Sequence, residues 1–419
     1  MFAIQRMLGD ITETAFWTLS VSGEREALSA EGLQGDDAKI AEAAAMLEAG
    51  GTVAFPTETV YGLGADARNT AAVEAVFAAK GRPSDNPLIV HIADLSALDG
   101  LVTSVQPVET ALMEAFWPGP LTLILPLRPN VLSTLVSAGL DTVGVRIPGH
   151  PVALELIRAS GCPVAAPSAN RSGRPSPTLA THVLEDLNGY IGGVLDGGAA
   201  GVGLESTVVQ VQPDGRIAVL RPGGITAEQL EAVAGPGTVV PAPEESRDSS
   251  APKLGASSQS AAAADLAAPA ASLSGGVPAA HSVSAAGDHG PAPRAPGMKY
   301  THYAPRGALS VVRGTSPQRV AACAADLLQA AQRDGGITGL LLFEEHLALY
   351  PADPAACVVS LGSLDSLEEA ARSLYATLRR FDEAGATYIL AEACPDTGLG
   401  TAIMNRLMKA AGGTVIDAG

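Results

Sequence analysis

Four polar segments rich in possible anion-binding groups stand out in this chain, and two of them are close neighbours in sequence. Residues 55–64 (FPTETVYGLG) follow an apolar stretch and supply hydroxyls and glycines, so they either line a ligand pocket or form an ordinary turn. Residues 80–92 (KGRPSDNPLIVHI) place Lys80 and Arg82 close enough to clamp a polyphosphate. The alternatives are that Lys80 is a favourable charge at a helix C-terminus and that His91 is a hydrogen-bonded core histidine.

The other two segments carry an arginine or several hydroxyls. Arg146 interrupts the apolar residues 142–151 (TVGVRIPGHP), where its charge is balanced by a substrate carboxylate, by a protein carboxylate or, on an edge strand, by water. Residues 166–178 (APSANRSGRPSPT) are suited to holding phosphates or ribose. Alternatively they form a surface loop in which Ser176 caps a helix that begins at the next residue. Arg221 lies before a Pro-Gly-Gly turn.

The charge of the chain favours a small anionic ligand over a nucleic acid. The 419 residues include 26 Lys and Arg against 44 Asp and Glu, so the formal net charge is -18. This sign disfavours general binding of nucleic acid or of anionic membranes, whereas the clustering of arginine in the polar segments suits a pocket. The sequence contains no P-loop motif, no complete GxGxxG after a strand, and no GxSxG or HExxH motif.

The elements that must position these segments predict a mixed α/β sheet before residue 243. Apolar spacing predicts one helix from Asp36 or Asp37, either of which can cap it, to Gly50, and another from Thr70 to Lys80. Strands without a regular βαβ alternation are predicted at residues 52–55, 88–92, 121–125, 143–147, 164–166, 193–195 and 207–211.

The composition divides the rest of the chain. Residues 244–297 are mostly Ala, Ser, Gly and Pro, which predicts a flexible linker between a domain at 37–243 and a domain at 298–419. The second domain alternates strand and helix evenly, which predicts a small parallel, Rossmann-like α/β fold. Residues 1–36 are interpreted as an extension of unknown role or as the result of an overlong start-site assignment.

The sequence shows neither a membrane span nor a signal peptide, because acidic residues interrupt its moderately apolar start and no long apolar run follows. The cysteines lie far apart, which indicates neither a disulfide scaffold nor a zinc site: Cys162, Cys323, Cys357 and Cys394. We therefore expect a protein of the cytoplasm.

Together, the order of these segments resembles the threonylcarbamoyl-AMP synthase family in its longer two-domain form. The resemblance covers about residues 38–243 and 298–419, and it is carried by GGTVAFPTETVYGLG, KGRPSDNPL, WPGPLTLIL, VGVRIPGHP, APSANRSGRPSPT, ESTVV, LRPGG, PGMKYTHYAP and DTGLGTAIMNRLMKAAGG. It implies a YrdC-like first domain, a twisted mixed sheet with a large cleft. It also implies an enzyme, a nucleotidyltransferase that condenses L-threonine, bicarbonate and ATP to threonylcarbamoyl-AMP and releases pyrophosphate.

The resemblance also implies roles for single residues. Arg146 would pair with the threonine carboxylate, and Lys80 and Arg82 would act in catalysis at the phosphates. The residues around L-threonine would be Thr59, His91, Arg146 and Ala166. Those around ATP would be Arg82, Asn86, Thr142, Ser168, Ser176, Arg221 and one or both tyrosines of a lid loop at 296–306, Tyr300 and Tyr303.

Further expectations concern cofactors and partners. Magnesium would arrive with ATP, because no carboxylate cluster marks a metal site of the protein itself. A separate transferase would carry the threonylcarbamoyl group to tRNA beside the anticodon, without stable binding of nucleic acid or membrane by this chain. The competing interpretations are an RNA-binding module, which the acidic balance disfavours, and a sensor of nucleotide or threonine, which the intact Arg and Ser positions disfavour.

Overall fold

An eleven-stranded sheet and a five-stranded sheet form the framework of the computed structural model, which describes residues 13–20, 35–241, 293 and 302–419. We call residues 13–20 and 35–241 the large-sheet region, and residues 302–419 the small-sheet region. The strands of the large sheet are β1 (Ala15–Thr18), β2 (Val53–Phe55), β3 (Gly62–Asp66), β4 (Ile89–His91), β5 (Leu121–Pro126), β6 (Thr142–Arg146), β7 (Val164–Ala165), β8 (Gly193–Asp196), β9 (Thr207–Val211), β10 (Ile217–Arg221) and β11 (Val239–Pro241).

The large sheet is mixed, as the sequence predicts. Its strand order is β1-β8-β2-β3-β7-β4-β6-β5-β9-β10-β11. Neighbours such as β2 and β3 run antiparallel, whereas β4 and β6 run parallel. The parallel register pairs His91 with Arg146, so two predicted site residues lie side by side at one end of the sheet.

Helices cover the large sheet, and two of them begin and end close to where the apolar spacing predicts. In α2 the Asn69 side chain accepts a hydrogen bond from the Ala72 amide, and Gly81, with φ of 61°, ends the helix in the left-handed region. The helices are α1 (Asp37–Glu48), α2 (Thr70–Lys80), α3 (Leu98–Leu101), α4 (Pro107–Phe116), α5 (Thr134–Ser137), α6 (Pro151–Ser160), α7 (Ala180–Leu187) and α8 (Ala227–Ala234).

Two of the helix caps that the sequence left open as alternatives do not form. The Asp36 carboxylate does not cap α1, because it accepts hydrogen bonds from the Ser20 amide at 2.5 Å and from Lys39 Nζ at 2.8 Å. Ser176 caps no helix either, since α7 begins at Ala180 and the Ser176 hydroxyl donates to Glu205.

The small sheet is parallel throughout, which confirms the predicted Rossmann-like alternation. Its strand order is β14-β13-β15-β12-β16. Its elements are β12 (Ala308–Arg313), α9 (Pro317–Arg333), β13 (Thr338–Leu342), β14 (Cys357–Ser360), α10 (Leu367–Glu383), β15 (Tyr388–Glu392), α11 (Leu399–Ala410) and β16 (Val415–Asp417). None of the described helices is both long and apolar enough to cross a membrane.

Part of the predicted N-terminal extension belongs to the large sheet. Strand β1 pairs in parallel with β8, and Trp17 packs against the flat backbone at Gly193, where a side chain would collide with the indole ring. The Trp17 Nε1 group also donates a hydrogen bond to Glu42 on α1 at 2.9 Å. These residues therefore add an edge strand that the sequence pattern did not predict.

The two regions share one core and belong to one compact unit. Val60 and Leu204 of the large-sheet region cluster with Leu374 and Leu378 of α10. The predicted linker at 244–297 lies outside the described residues except for Pro293, as does the part of the predicted lid before His302. The domain boundaries at 37–243 and 298–419 therefore stay predictions.

Candidate active site

A pocket lies where several strands of the large sheet end, and most of the predicted site residues line it. It is bordered by residues 57–62 between β2 and β3, the C-terminus of α2, the loop after β7 and the ends of β6 and β10. The predicted residues in its wall are Thr59, Lys80, Arg82, His91, Arg146, Ala166, Ser168, Arg221 and Tyr303. The structure thus brings together residues that are far apart in sequence.

Arg146 is buried at the end of β6, with 3 % of its surface exposed, and its guanidinium is held from three sides. Its Nε group donates to the Gly119 carbonyl at 3.0 Å, Nη1 donates to Thr59 Oγ1 at 3.0 Å, and Nη2 forms an ion pair with Glu58. A protein carboxylate therefore balances this charge, which was one of the open alternatives. A guanidinium has several more N–H groups, so these contacts leave donors for a ligand carboxylate.

His91 lies next to Arg146 and is held neutral. Burial, and then the positive charge of Arg146, lower the pKa of His91 to about 3. Its ring packs edge-on against Phe55, with 6.2 Å between the ring centroids. Within the described residues, His91 Nδ1 has no hydrogen-bond partner, so this buried nitrogen is left for a ligand.

Lys80 ends α2, but its ammonium points into the neighbouring loop. Its Nζ donates to the Ser168 and Asn170 carbonyls, each at 2.5 Å, and to Asn170 Oδ1 at 3.3 Å. Burial, with Arg82 adding to it, lowers the pKa of Lys80 well below its usual range. Lys80 therefore fixes the loop after β7, which Ser168 also braces by donating to Asn170 Oδ1 at 2.6 Å.

Arg82 and Asn86 follow α2. Arg82 Nη2 donates to the carbonyls of Asn86 at 3.4 Å and Pro87 at 3.1 Å, and Arg82 lines the pocket. Asn86 is fully buried beside it rather than in the wall. Neither polar atom of the Asn86 side chain has a hydrogen-bond partner among the described residues.

Ser176 and Arg221 bind neighbouring residues, Glu205 and Ser206. Ser176 does not line the pocket, but its hydroxyl donates to Glu205 Oε1 at 2.6 Å, and Glu205 does line it. Arg221 Nη2 donates to the Ser206 carbonyl at 2.9 Å and to its hydroxyl at 3.2 Å. Although burial opposes it, the charges of Arg406 and Arg221 lower the pKa of Glu205 to about 2.

The remaining predicted residues have different positions. Tyr303 lines the pocket with φ of 67°, a left-handed backbone, and its ring centroid lies 5.1 Å from that of Tyr375. Tyr300 lies outside the described residues. Thr142 begins β6, and the rise of a strand places it about 13 Å from Arg146 at the other end, so the structure does not bring it to the pocket.

The pocket is cationic although the chain is acidic. Lysine or arginine reaches its wall at five positions, whereas Glu205 is the acidic residue among the lining residues: Lys80, Arg82, Arg146, Arg174 and Arg221. Among the described residues, no group of three His, Cys, Asp or Glu is placed to hold a metal ion. The site is thus built for an anionic ligand that has its own phosphate or carboxylate groups.

Several functional residues escaped the sequence reasoning. Glu58 stands inside the FPTETVYGLG motif and Glu205 inside ESTVV, but neither was assigned a role. A buried carboxylate beside a buried arginine could have been suspected at Glu58 from the motif alone. Tyr375 and Arg406, which reach Glu205 from the small-sheet region, carry no local signal of that contact.

Comparison with known proteins identifies the family of the chain. Residues 45–223 match a family model described as "Telomere recombination", and residues 225–412 match one described as "Threonylcarbamoyl-AMP synthase, C-terminal domain". A curated threonylcarbamoyl-AMP synthase of Bacillus subtilis is 47% identical over 404 residues, covering 96% of this chain and 99% of that protein. The chain belongs to the threonylcarbamoyl-AMP synthase family.

A threonylcarbamoyl-AMP synthase of Pyrococcus abyssi is similar to this chain in both sequence and structure. The protein of Pyrococcus abyssi is 41% identical over 378 residues, covering 90% of this chain and 95% of its own length. The solved structure of P. abyssi Sua5 complexed with L-threonine has a TM-score of 0.76 at 37% identity, covering 96% of this chain and 99% of that one. The two-sheet architecture is therefore that of the longer, two-domain family members.

Proposed function

We propose that this chain condenses L-threonine, bicarbonate and ATP to threonylcarbamoyl-AMP in the described pocket, with release of pyrophosphate. One observation carries this assignment. A buried, three-way-anchored arginine stands beside a neutral histidine at one end of a pocket whose other walls carry four further cations. Such a pocket offers one site for an amino-acid carboxylate and another for a polyphosphate.

The threonine half is centred on Arg146. Its free N–H groups would pair with the threonine carboxylate, as they are already aimed by Thr59, Glu58 and the Gly119 carbonyl. His91, being neutral, would hydrogen-bond the amino acid without adding a charge. Ala166, small and buried, would leave room for the side chain of the substrate.

The ATP half is built around the loop after β7. Ser168 is held there by Lys80, and Arg221 lies across the pocket against Ser206. Arg82 would bind the phosphates. Asn86, whose side-chain amide has no hydrogen-bond partner among the described residues, would either hold Arg82 in place through its backbone carbonyl or hydrogen-bond the nucleotide. Ser176 acts through Glu205, and Tyr303 would cover the nucleotide, while Thr142 and Tyr300 stay untested candidates.

The chemistry needs positioning more than it needs a protein nucleophile. The threonine amine takes up bicarbonate carbon with loss of water to give a carbamate, whose oxygen attacks the α-phosphorus of ATP while pyrophosphate leaves. Because charge builds up on the leaving phosphates, fixed cations in a pocket that excludes water stabilise the transition state. Lys80 contributes through the loop it fixes, since its ammonium is already bound by three oxygens.

Magnesium fits this arrangement only as a companion of ATP. Glu205 is the acidic lining residue, and its oxygens are held by Ser176, Tyr375 and Arg406. The ion would therefore be bound by the phosphates and would supply charge neutralisation there.

The product is a labile adenylate, which requires a second protein to use it. We infer that a transferase moves the threonylcarbamoyl group to tRNA, and that both act in the cytoplasm. The four free cysteines are consistent with a reducing compartment: Cys162, Cys323, Cys357 and Cys394.

A product assay tests the assignment. The full chain is incubated with ATP, magnesium, L-threonine and bicarbonate, and pyrophosphate and the adenylate are measured, the latter by mass. We expect product only when all the substrates are present, and none from Arg146→Met. Arg158→Met, which breaks an exposed ion pair with Glu155, is the matched control and should retain full activity. Tight ATP binding without product would favour a nucleotide sensor instead.

A further inference from the structure

Two fully buried side chains of the small-sheet region hold a residue of the pocket wall. Tyr375 on α10 and Arg406 on α11 both have 0 % of their surface exposed. The Tyr375 hydroxyl donates to Glu205 Oε2 at 2.8 Å, and Arg406 Nε donates to the same oxygen at 3.0 Å. Glu205 belongs to the pocket wall, so a lining carboxylate is held from the second sheet.

Arg406 also contacts Pro222, which follows the lining residue Arg221, and Tyr303, which lines the pocket. Its Nη1 group donates to the Pro222 carbonyl at 2.6 Å, directly after Arg221 at the end of β10. Its Cζ atom lies 5.7 Å from the ring centroid of Tyr303, within the range of a cation–π interaction. One guanidinium therefore joins the Glu205 loop, the turn after Arg221 and Tyr303.

Tyr375 contacts two of the same residues, Glu205 and Tyr303. We call the group formed by Glu205, Arg221, Tyr303, Tyr375 and Arg406 the joint. The Tyr375 ring lies against Tyr303 with 5.1 Å between centroids and 32° between the planes. Tyr303 has a left-handed backbone conformation, and its ring contacts both Tyr375 and Arg406 where it lines the pocket. The hydrogen bonds that these two side chains make to the large-sheet region end on Glu205 and Pro222, whereas Arg146 forms its ion pair with Glu58.

The charges around Glu205 also connect Arg406 to the binding of an anionic ligand. Glu205 is buried between Arg221 and Arg406, and a lone buried carboxylate in that position would be strongly unfavourable. With Arg406 present, the joint has more positive than negative charge, which suits it to sit behind a polyphosphate. Without Arg406, Glu205 would compete with the ligand phosphates for Arg221.

We propose that Arg406 and Tyr375 are positioning residues of the nucleotide half of the active site. They set Glu205, Arg221 and Tyr303 for ATP, so the site is incomplete without the small-sheet region. This inference rests on the proposed function for the identity of the nucleotide, but not for the geometry of the joint.

The test separates ATP from threonine in the full-length chain. Initial rates of Arg406→Gln are measured against ATP at saturating threonine and then against threonine at saturating ATP. We expect the KM for ATP to rise about tenfold or more and the KM for threonine to change less than about twofold. Tyr375→Phe keeps the ring and the fold but loses the hydroxyl, so it should raise the KM for ATP about threefold and leave that for threonine unchanged.

The matched control is Arg372→Gln. Arg372 also bridges the two regions, with Nε donating to the Gly201 carbonyl at 3.0 Å, but it does not line the pocket. It should leave both KM values unchanged. An ATP KM within twofold of wild type in folded Arg406→Gln, or an equal rise for both substrates with lowered stability, would overturn the inference.

Direct ATP binding by calorimetry separates this inference from the proposed function. If the wild type binds ATP without making product, the proposed function fails. Weaker ATP binding by Arg406→Gln would then still support the positioning role of Arg406, and unchanged ATP binding would refute that role.

Discussion

The ion pair between Arg146 and Glu58 couples substrate binding to stability, and this coupling can be measured. Sequence alone suggests that replacing Arg146 removes activity and leaves the fold intact. In the structure both oxygens of Glu58 are buried, and the guanidinium of Arg146 is the cation that faces them. Removing Arg146 therefore leaves an uncompensated buried carboxylate, which costs about 3–5 kcal/mol of unfolding free energy.

The perturbation is a double-mutant cycle of Arg146→Met and Glu58→Gln. Methionine keeps the stem volume and removes the charge, and glutamine keeps the shape of Glu58. Arg146→Met in the Glu58→Gln background should cost about 2 kcal/mol less than in the wild type, within the range of coupling energies for contacting charged pairs. Arg158→Met, at an exposed pair with 48 % and 39 % side-chain exposure, should cost less than about 1 kcal/mol.

Two assays read the cycle. Urea unfolding gives the free energies, and calorimetry with L-threonine gives the affinity. Losing a charge-assisted, paired contact to the carboxylate should weaken threonine binding about 100-fold in Arg146→Met, whereas Glu58→Gln should stay within about tenfold of wild type. Additive stability changes would show that the pair is not coupled, and unchanged threonine affinity in Arg146→Met would show that Arg146 does not bind the substrate.

Other predictions concern the loop and the acid range. Lys80→Met should speed hydrogen exchange at the Ala169 and Ser172 amides, which are hydrogen-bonded in the loop that Lys80 fixes, and it should raise the KM for ATP about tenfold. Unchanged exchange would show that Lys80 does not hold this loop. Burial lowers the pKa of His150 to about 4, so the stability that this residue contributes should fall as pH drops below 6.5, by about 2 kcal/mol at pH 5. The buried His91 and His182 also have lowered pKa values, so His150→Gln should remove only this share of the acid loss from the urea profile, and an unchanged profile would contradict a neutral, buried His150. The pKa of Glu205 is lowered to about 2, so its ionised form contributes about 3 kcal/mol to the free energy of unfolding above pH 4.5, and this contribution is lost as the pH falls towards 2. In urea unfolding, Glu205→Gln should not show this loss.

Local sequence patterns predict much of the fold because the spacing of apolar residues shows which side of a single helix or strand is buried. Strand β9 has the predicted bounds, since an apolar run at 207–211 stands between polar turns. Helix α4 was missed although Pro107 at its first turn and the Gln106–Glu109 capping box mark its start. Strand β1 carries no such mark, because its four residues become a strand only by pairing with β8.

The site, like the fold, is only partly predictable from the sequence. The motifs carry the residues that lie near one another in sequence, such as Lys80 and Arg82, but the partners of those residues are fixed by tertiary packing. Ser176 has the composition of a helix cap, and it instead donates to Glu205 because the chain turns there before α7 begins. Arg406 lies in an amphipathic helix, where an arginine is ordinarily solvated, and its burial follows only from the packing of α11 against the large-sheet region.

The opposite signs of the surface and the pocket define which ligands the chain admits. A formal net charge of -18 repels a long polyanion along the whole contact, and RNA would need a continuous basic footprint to overcome it. ATP meets a different field, because screening over about 8 Å weakens the distant surface charge and leaves the charges of the pocket wall. Lysine or arginine stands there at five positions against one carboxylate, Glu205, although Arg146 and Arg174 are paired with Glu58 and Asp186 behind the wall. This contrast supports the proposal that the chain makes the adenylate and that a separate partner holds the tRNA that receives the group.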